Sequence, residues 1–270
     1  GILKQTGIMD EACQPTSFDM QATTPMDPHV LNAMLPVYTG LYRNPNLRTH
    51  TYGWGTEKAI DVACKPVAQL IGAHPTEIRF TSGAMESNNM SIRYVAKFYK
   101  SKKHTITSQT EHKCVLDSCR HLQDEWYNIT YLPVNNNGLI DREHLEKIRP
   151  DTVPVSIMVV SNEIRLIQLI EEIGKRFRKM GVFFQTDGSQ AVGKIPVKVG
   201  EWNVDLMGIL GPKAYGPTGI GGCYTRRRPK VRIDPLISGG GPERGLHSGT
   251  LAHPLVISFR EAYRIAKEEI

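Results

Sequence analysis

Between residues 77 and 225 this chain alternates short apolar runs with longer amphipathic stretches, and that alternation constrains its fold more than any other feature. Near-continuous apolar runs suit strands covered on both faces. The intervening stretches, apolar at helical spacing, suit the helices that cover them. Strand and helix in turn make βαβ units, hence an α/β domain around a mainly parallel sheet with helices on both faces. Strands are predicted over 77–81, 104–107, 129–132, 153–160, 182–185, 204–210 and 221–225, seven in all. Helices are predicted over 86–99, with Met90, Tyr94, Val95 and Phe98 turned inward, and over 113–123, 141–148 and 167–180. One layered domain accounts for residues 18–255, after an amino-terminal segment 1–17. A last helix begins in 256–270, and its apolar face (Val256, Phe259, Tyr263, Ile265) has nothing after it in sequence to pack against. The chain therefore reads as stopping partway through an architecture.

Composition narrows the class. The 270 residues suffice for a substantial core. No apolar run approaches the ~20 residues that span a bilayer, so no membrane partner is expected. The amino terminus, Gly1-Ile2-Leu3-Lys4-Gln5, has neither an initiator Met nor a signal-peptide core, and is read as a processed or partial start. Net charge is +6, with basic residues gathered in Arg226-Arg227-Arg228-Pro229-Lys230-Val231-Arg232. This is read as a solvated loop and not as a nucleic-acid surface. The five cysteines are odd in number and show no CxxC pair, which points to a reducing compartment and against a disulfide scaffold or a metal site.

Candidate chemistry collects where strands are predicted to end, the edge at which parallel sheets hold their ligands. Lys213 follows the run ending at Leu210 and lies in Gly211-Pro212-Lys213-Ala214-Tyr215-Gly216-Pro217, a rigid turn that holds an amine in place. A single loop lysine is usually just exposed. Its company changes that reading. Asp187, in Gln185-Thr186-Asp187-Gly188, ends a strand where a buried carboxylate needs a cationic partner. Thr81-Ser82-Gly83-Ala84-Met85-Glu86 is a strand–turn–helix whose backbone N–H groups suit phosphate. Asn162 ends another predicted strand, and His112 opens a helix. A lysine for an aldehyde, an aspartate for a pyridinium and a helix amino end for phosphate together describe pyridoxal 5′-phosphate (PLP).

The motifs Phe18-Asp19-Met20-Gln21-Ala22-Thr23-Thr24-Pro25, Thr81-Ser82-Gly83-Ala84, Glu86-Ser87-Asn88-Asn89, Thr110-Glu111-His112, Asn162-Glu163-Ile164, Thr186-Asp187, Gln190-Ala191-Val192-Gly193-Lys194 and Tyr215-Gly216-Pro217, in that order, resemble the cysteine desulfurases of the mitochondrial type. The resemblance implies the large domain of a fold-type-I PLP enzyme of the class V aminotransferase group, with the small carboxy-terminal domain largely missing. It implies L-cysteine as substrate, L-alanine as product, and sulfur passed to a carrier thiol for iron–sulfur cluster assembly. It further implies a homodimer, scaffold and accessory proteins as partners, and the mitochondrial matrix, with cytoplasm or nucleus as alternatives. By the same resemblance Lys213 would bind the cofactor aldehyde and serve as proton-transfer base. Asp187 would pair with the ring nitrogen, and His112 would stack on the ring. Asn162 and Gln190 would contact the ring oxygen, Gly83, Ala84 and Met85 would form the phosphate turn, and Thr250 would reach the phosphate of the other subunit.

Several positions depart from the family pattern. Met85 replaces the phosphate-turn threonine, Leu210 and Pro212 replace the serine and histidine beside the lysine, and Gln185 replaces the histidine before Thr186. Pro66 falls inside a helix expected over 56–71. The family's persulfide cysteine loop has no counterpart in the 270 residues. The reading is of a truncated, diverged copy with impaired or absent activity. Beside it stand two alternatives, a non-catalytic module that dimerises or binds partners, and a related class V enzyme such as a selenocysteine lyase or aminotransferase.

Overall fold

A computed structural model of the chain describes residues 28–32, 35, 64–81, 83–135, 140, 142–158, 164–188, 192, 195–210, 221–228, 230–232, 260–265 and 268. Its seven strands are β1 (Ile78–Thr81), β2 (His104–Ser108), β3 (Asn128–Leu132), β4 (Thr152–Ser156), β5 (Phe184–Asp187), β6 (Leu206–Leu210) and β7 (Gly221–Thr225). They form one sheet in the order β1-β7-β6-β5-β4-β2-β3. The neighbours β3, β2, β4, β5 and β6 pair in parallel, and β7 alone runs against both of its neighbours. Ten residues, 211–220, join β6 to β7. That is too short for the crossover a parallel neighbour requires, so the chain turns back beside itself.

The strands β2, β4 and β7 are buried along their whole length. Edge strand β3 is half-exposed over much of its length. On one face, helix α1 (residues 84–98) packs with α2 (Lys113–Asp124) through Ile92, Ala96, Val115, Cys119 and Leu122. On the other, α3 (Ile164–Lys179) and the helical stretch 64–71, which accommodates Pro66, bury Ile170, Ile173, Phe177, Val67 and Ile71 in the main core with Phe184 and Trp202. Phe177 and Phe184 meet edge-to-face with ring centroids 5.4 Å apart, the arrangement that sets the positive edge of one ring on the negative face of the other.

Helix α1 departs from the expected inward face. It runs Ala84–Asn89, then a π-helical turn Met90–Tyr94, then Val95–Phe98. A π turn takes in one residue more than an α turn and rotates everything after it. Met90 and Val95 stay buried, Ile92 and Ala96 join them, and Phe98 swings out to 40% exposure. Strand β5 also starts two residues later than expected. Gly181, at φ 70, closes α3 in a Schellman motif, in which the Val182 N–H donates to Phe177 O and the Gly181 N–H to Arg178 O. Val182 is therefore spent on the helix cap, and Asp187 falls inside the strand as its last residue. The segment expected to be a helix over 141–148 is a 3-10 turn, Arg142–Lys147. At the other end of the chain, the helical residues 260–265 do find partners, since Tyr263 is fully buried in the main core and Ala262 packs on Val30. Among the described residues no helix is long and apolar enough to cross a membrane.

Candidate functional site

The carboxyl ends of β1, β2, β4, β5 and β6 lie along one edge of the sheet, and the described candidate residues lie at these ends or within a few residues after them. After β1 comes Gly83, the N-cap of α1, at φ 138 and ψ −172. A Cβ added there would meet nothing within 4 Å, so the torsion, and not crowding, demands glycine. Its carbonyl is held by the Ser87 N–H (3.1 Å) and by the Ser87 and Thr81 hydroxyls (3.0 and 3.2 Å). The turn is thereby fixed, and Ala84 and Met85 open the helix with backbone N–H groups that lack intrahelical acceptors. Gly221 on β7 lets this turn pass, because a Cβ there would lie 2.8 Å from Thr81 Oγ1 and 3.0 Å from the backbone of Gly83.

After β2 the chain enters α2 through Glu111 and His112. His112 is the half-buried N-cap, and its Nδ1 accepts from the Cys114 N–H at 3.4 Å. With Nδ1 occupied as acceptor, Nε2 is the ring nitrogen left to donate. Glu111 is 6% exposed, and its Oε1 accepts both from Ser108 Oγ (2.8 Å), at the end of β2, and from the Met158 N–H (2.7 Å), just beyond β4. Oε2 is buried and has no hydrogen-bond partner among the described residues. Burial, with a smaller contribution from the negative charge of Asp187, pushes the carboxyl up to about 8 against its hydrogen bonds with Ser108 and Met158. That shift favours the neutral acid at neutral pH, and with Oε1 already accepting two hydrogen bonds Oε2 is the oxygen left to carry the proton.

Asp187 closes β5 and is 2% exposed. Its Oδ2 accepts from Asn88 Nδ2 of α1 at 3.4 Å, Asn88 Oδ1 accepts from Gln185 Nε2 at 3.4 Å, and Gln185 Oε1 accepts from the Ser156 hydroxyl. The next residue, Gly188, runs so close to β6 that a Cβ would stand 2.7 Å from Met207 Sδ.

Of the residues singled out from sequence, Gly83, His112 and Asp187 come to this one edge, with the backbones of Ala84 and Met85 beside Gly83. Lys213, Asn162, Gln190 and Thr250 lie outside the described residues, as do Pro212 and the side chain of Leu210. The chain leaves the sheet toward Lys213 from β6, the strand next to that of Asp187. In the sequence Asn88 and Glu111 stood only as members of family-like motifs and Gln185 only as a departure from the pattern, and none of them carried a role. The signal available was slight: Gln185 lies in a strand buried throughout, but Glu111 stands between exposed Thr110 and half-buried His112, and Asn88 beside half-buried Asn89.

In the basic stretch, Arg226 turns inward to pair with Asp205, which also lies 3.8 Å from Arg178, while Arg227, Arg228, Lys230 and Arg232 are exposed. Burial pushes Cys64 and Cys119 up to about 12 and also raises Cys223 and Cys114, so none of these four thiols is poised as a nucleophile.

Comparison with known proteins converges on one group. The family described as aminotransferase class-V matches residues 16–269. A mitochondrial cysteine desulfurase of Arthroderma benhamiae is 67% identical over 274 aligned residues, which take in 100% of this chain and 54% of that protein. The corresponding protein of Candida albicans is 60% identical over 258 residues, 95% of this chain and 53% of its own length. The chain spans about half the length of the curated relatives it matches. Among solved structures, SspA in complex with cysteine superposes with a TM-score of 0.80 at 39% identity, over 92% of this chain and 72% of that one. A NifS-like protein does so with a TM-score of 0.81 at 36% identity, over 93% and 70%.

Proposed function

The chain belongs to the class-V aminotransferase family, as a homologue of the mitochondrial cysteine desulfurases, and on that premise we propose that it forms the PLP-binding part of a cysteine desulfurase. The reaction would convert L-cysteine to L-alanine and pass the sulfur to a thiol that serves iron–sulfur cluster assembly in the mitochondrial matrix. The observation that carries this reading is Asp187, a buried carboxylate at a strand end with a donor fixed on one oxygen and a neutral acid, Glu111, nearby. Keeping Glu111 protonated keeps a second negative charge out of a site built to face one cation. The donor set fits the cofactor the family typically uses.

When bound, PLP supplies an aldehyde for amines and a ring that draws electrons from the substrate carbon. Asp187 would hold the proton on the ring nitrogen, and His112 would lie against the ring. The backbone N–H groups at Gly83, Ala84 and Met85 would bind phosphate, with Thr250 contributed by a second copy in a homodimer. Asn162 and Gln190 would donate to the ring oxygen. Lys213 would hold the cofactor and, once displaced by the substrate amine, move a proton at the substrate carbon with Nζ.

The sulfur-accepting thiol is assigned to none of the four described cysteines, whose raised pKa values leave them as buried or half-buried thiols. That observation also favours a second reading, a cofactor-binding subunit that does not itself release sulfur. Adding PLP and L-cysteine to the purified chain separates the two. The first predicts visible absorbance of lysine-bound cofactor with alanine formed, and the second predicts the absorbance alone. Absence of that absorbance, or its survival in Lys213→Ala, would overturn both.

A further inference from the structure

Resting on this functional reading, we propose that Asn88 is the positioning residue of the cofactor site. Its amide fixes the Asp187 carboxylate in the orientation that meets the ring nitrogen, and Gln185 and Ser156 behind it fix the amide. The four side chains form one buried line, with exposures of 2% for Asp187, 1% for Asn88 and 0% for both Gln185 and Ser156. The polarity of that line has a single solution. A carboxylate only accepts, so Asn88 must present Nδ2 to Asp187 Oδ2, which turns Oδ1 toward Gln185. Gln185 must then present Nε2 to Asn88 and keep Oε1 for the Ser156 hydroxyl. Reversing either amide would set oxygen against oxygen in a place water does not reach.

The backbone is shaped to admit this line. Gly208, which pairs with Asp187 across β5 and β6, would carry a Cβ 2.9 Å from Asn88 Oδ1, so any larger residue displaces the amide. Four elements therefore converge on one carboxylate oxygen: α1 supplies the donor, β4 and β5 orient it, and β6 leaves it room. Orientation matters because an ionic pair with a ring N–H is directional, and a carboxylate turned away from it holds the proton less well.

The test compares the wild-type chain with Asn88→Asp, Gln185→Glu and Gly208→Ala, the first two nearly isosteric and the third leaving every polar group in place. PLP affinity and the absorption band of the bound ring are read by titration, and thermal melting reports folding. The expected result is a loss of PLP affinity of about tenfold or more in each variant, the scale of one hydrogen bond to a charged group, with an altered band. Unchanged affinity and band in variants that still melt cooperatively would overturn the proposal, since a merely structural residue would move the melt and not the band. If the variants melt early, the carboxyl 13C resonances of the cofactor-free protein decide at low temperature. Asn88→Asp should set two carboxylates face to face and push one of them above the usual carboxylate range. If neither carboxyl of the 88–187 pair in Asn88→Asp rises above the usual carboxylate range, the proposal is overturned. A wild-type chain that takes up no PLP refutes the functional reading instead, and the carboxyl titration then judges Asn88 separately.

Discussion

Replacing Glu111 by glutamine should make the protein more stable at pH 8 than the wild type, an inversion of what removing a buried, hydrogen-bonded residue usually does. In the folded state burial pushes this carboxyl from the ordinary 4.5 up to about 8. Between those values the folded protein holds a proton that the unfolded chain has released. Stability therefore falls as pH rises, because ∂ΔG/∂pH follows the unfolded minus the folded proton count. The contribution is fully present below about pH 4.5 and is lost as pH rises through about 8. At ~1.4 kcal/mol per pH unit the total over this window is on the order of 5 kcal/mol. The substituted side chain would keep the carbonyl that accepts from Ser108 and Met158 and would not titrate. Urea unfolding of wild type and Glu111→Gln at pH 5, 6, 7 and 8 measures the difference, and every other group cancels between the two. The expected curves lie close at pH 5 and diverge by several kcal/mol at pH 8, the wild type falling faster. Parallel curves would refute a neutral, buried Glu111.

Other consequences follow from particular contacts. Asp205→Ala leaves Arg226 buried without its carboxylate and removes the acceptor of the Phe184 N–H (2.8 Å), and should cost about 3–5 kcal/mol by denaturant unfolding. Gly83→Ala should cost about 1–3 kcal/mol for its φ of 138, and should weaken PLP binding because the turn must shift. Phe177→Ala, at the centre of the main core, should cost about 3–5 kcal/mol without altering cofactor affinity beyond that loss. In thiol labelling of the folded chain, Cys64, Cys119 and Cys223 should stay unmodified until denaturant is added, and Cys114 should react first among these four.

Much of the fold was legible because burial writes itself into runs and periods. All seven strands, the helices over 113–123 and 167–180, and the gathering of chemistry at strand ends follow from local pattern. What was not legible depends on a single residue or on distant partners. The π turn in α1 leaves no trace in composition, yet it exposes Phe98 and buries Ala96. The start of β5 hinged on Gly181 closing a helix, which delayed the strand and placed Asp187 within it. Tyr263 looked unpartnered because its neighbours are distant in sequence: it joins the main core, and Ala262 beside it packs on Val30. Within the site, Gly83, His112 and Asp187 could be picked out by motif. Asn88 and Glu111 stood inside such motifs and Gln185 at a departure from one, yet their roles did not show, since a carboxylic acid or an amide becomes informative only once the fold has removed the water around it.

Trapping tests whether the edge holding Asp187 and His112 is a PLP site served by Lys213. The purified chain is incubated with PLP, reduced with borohydride, digested and mapped by mass spectrometry. One reduced adduct is expected, on Lys213, that fails to form in Lys213→Ala and weakens in Asp187→Ala. Adducts spread over surface lysines, or one that forms equally well without Lys213, would contradict it.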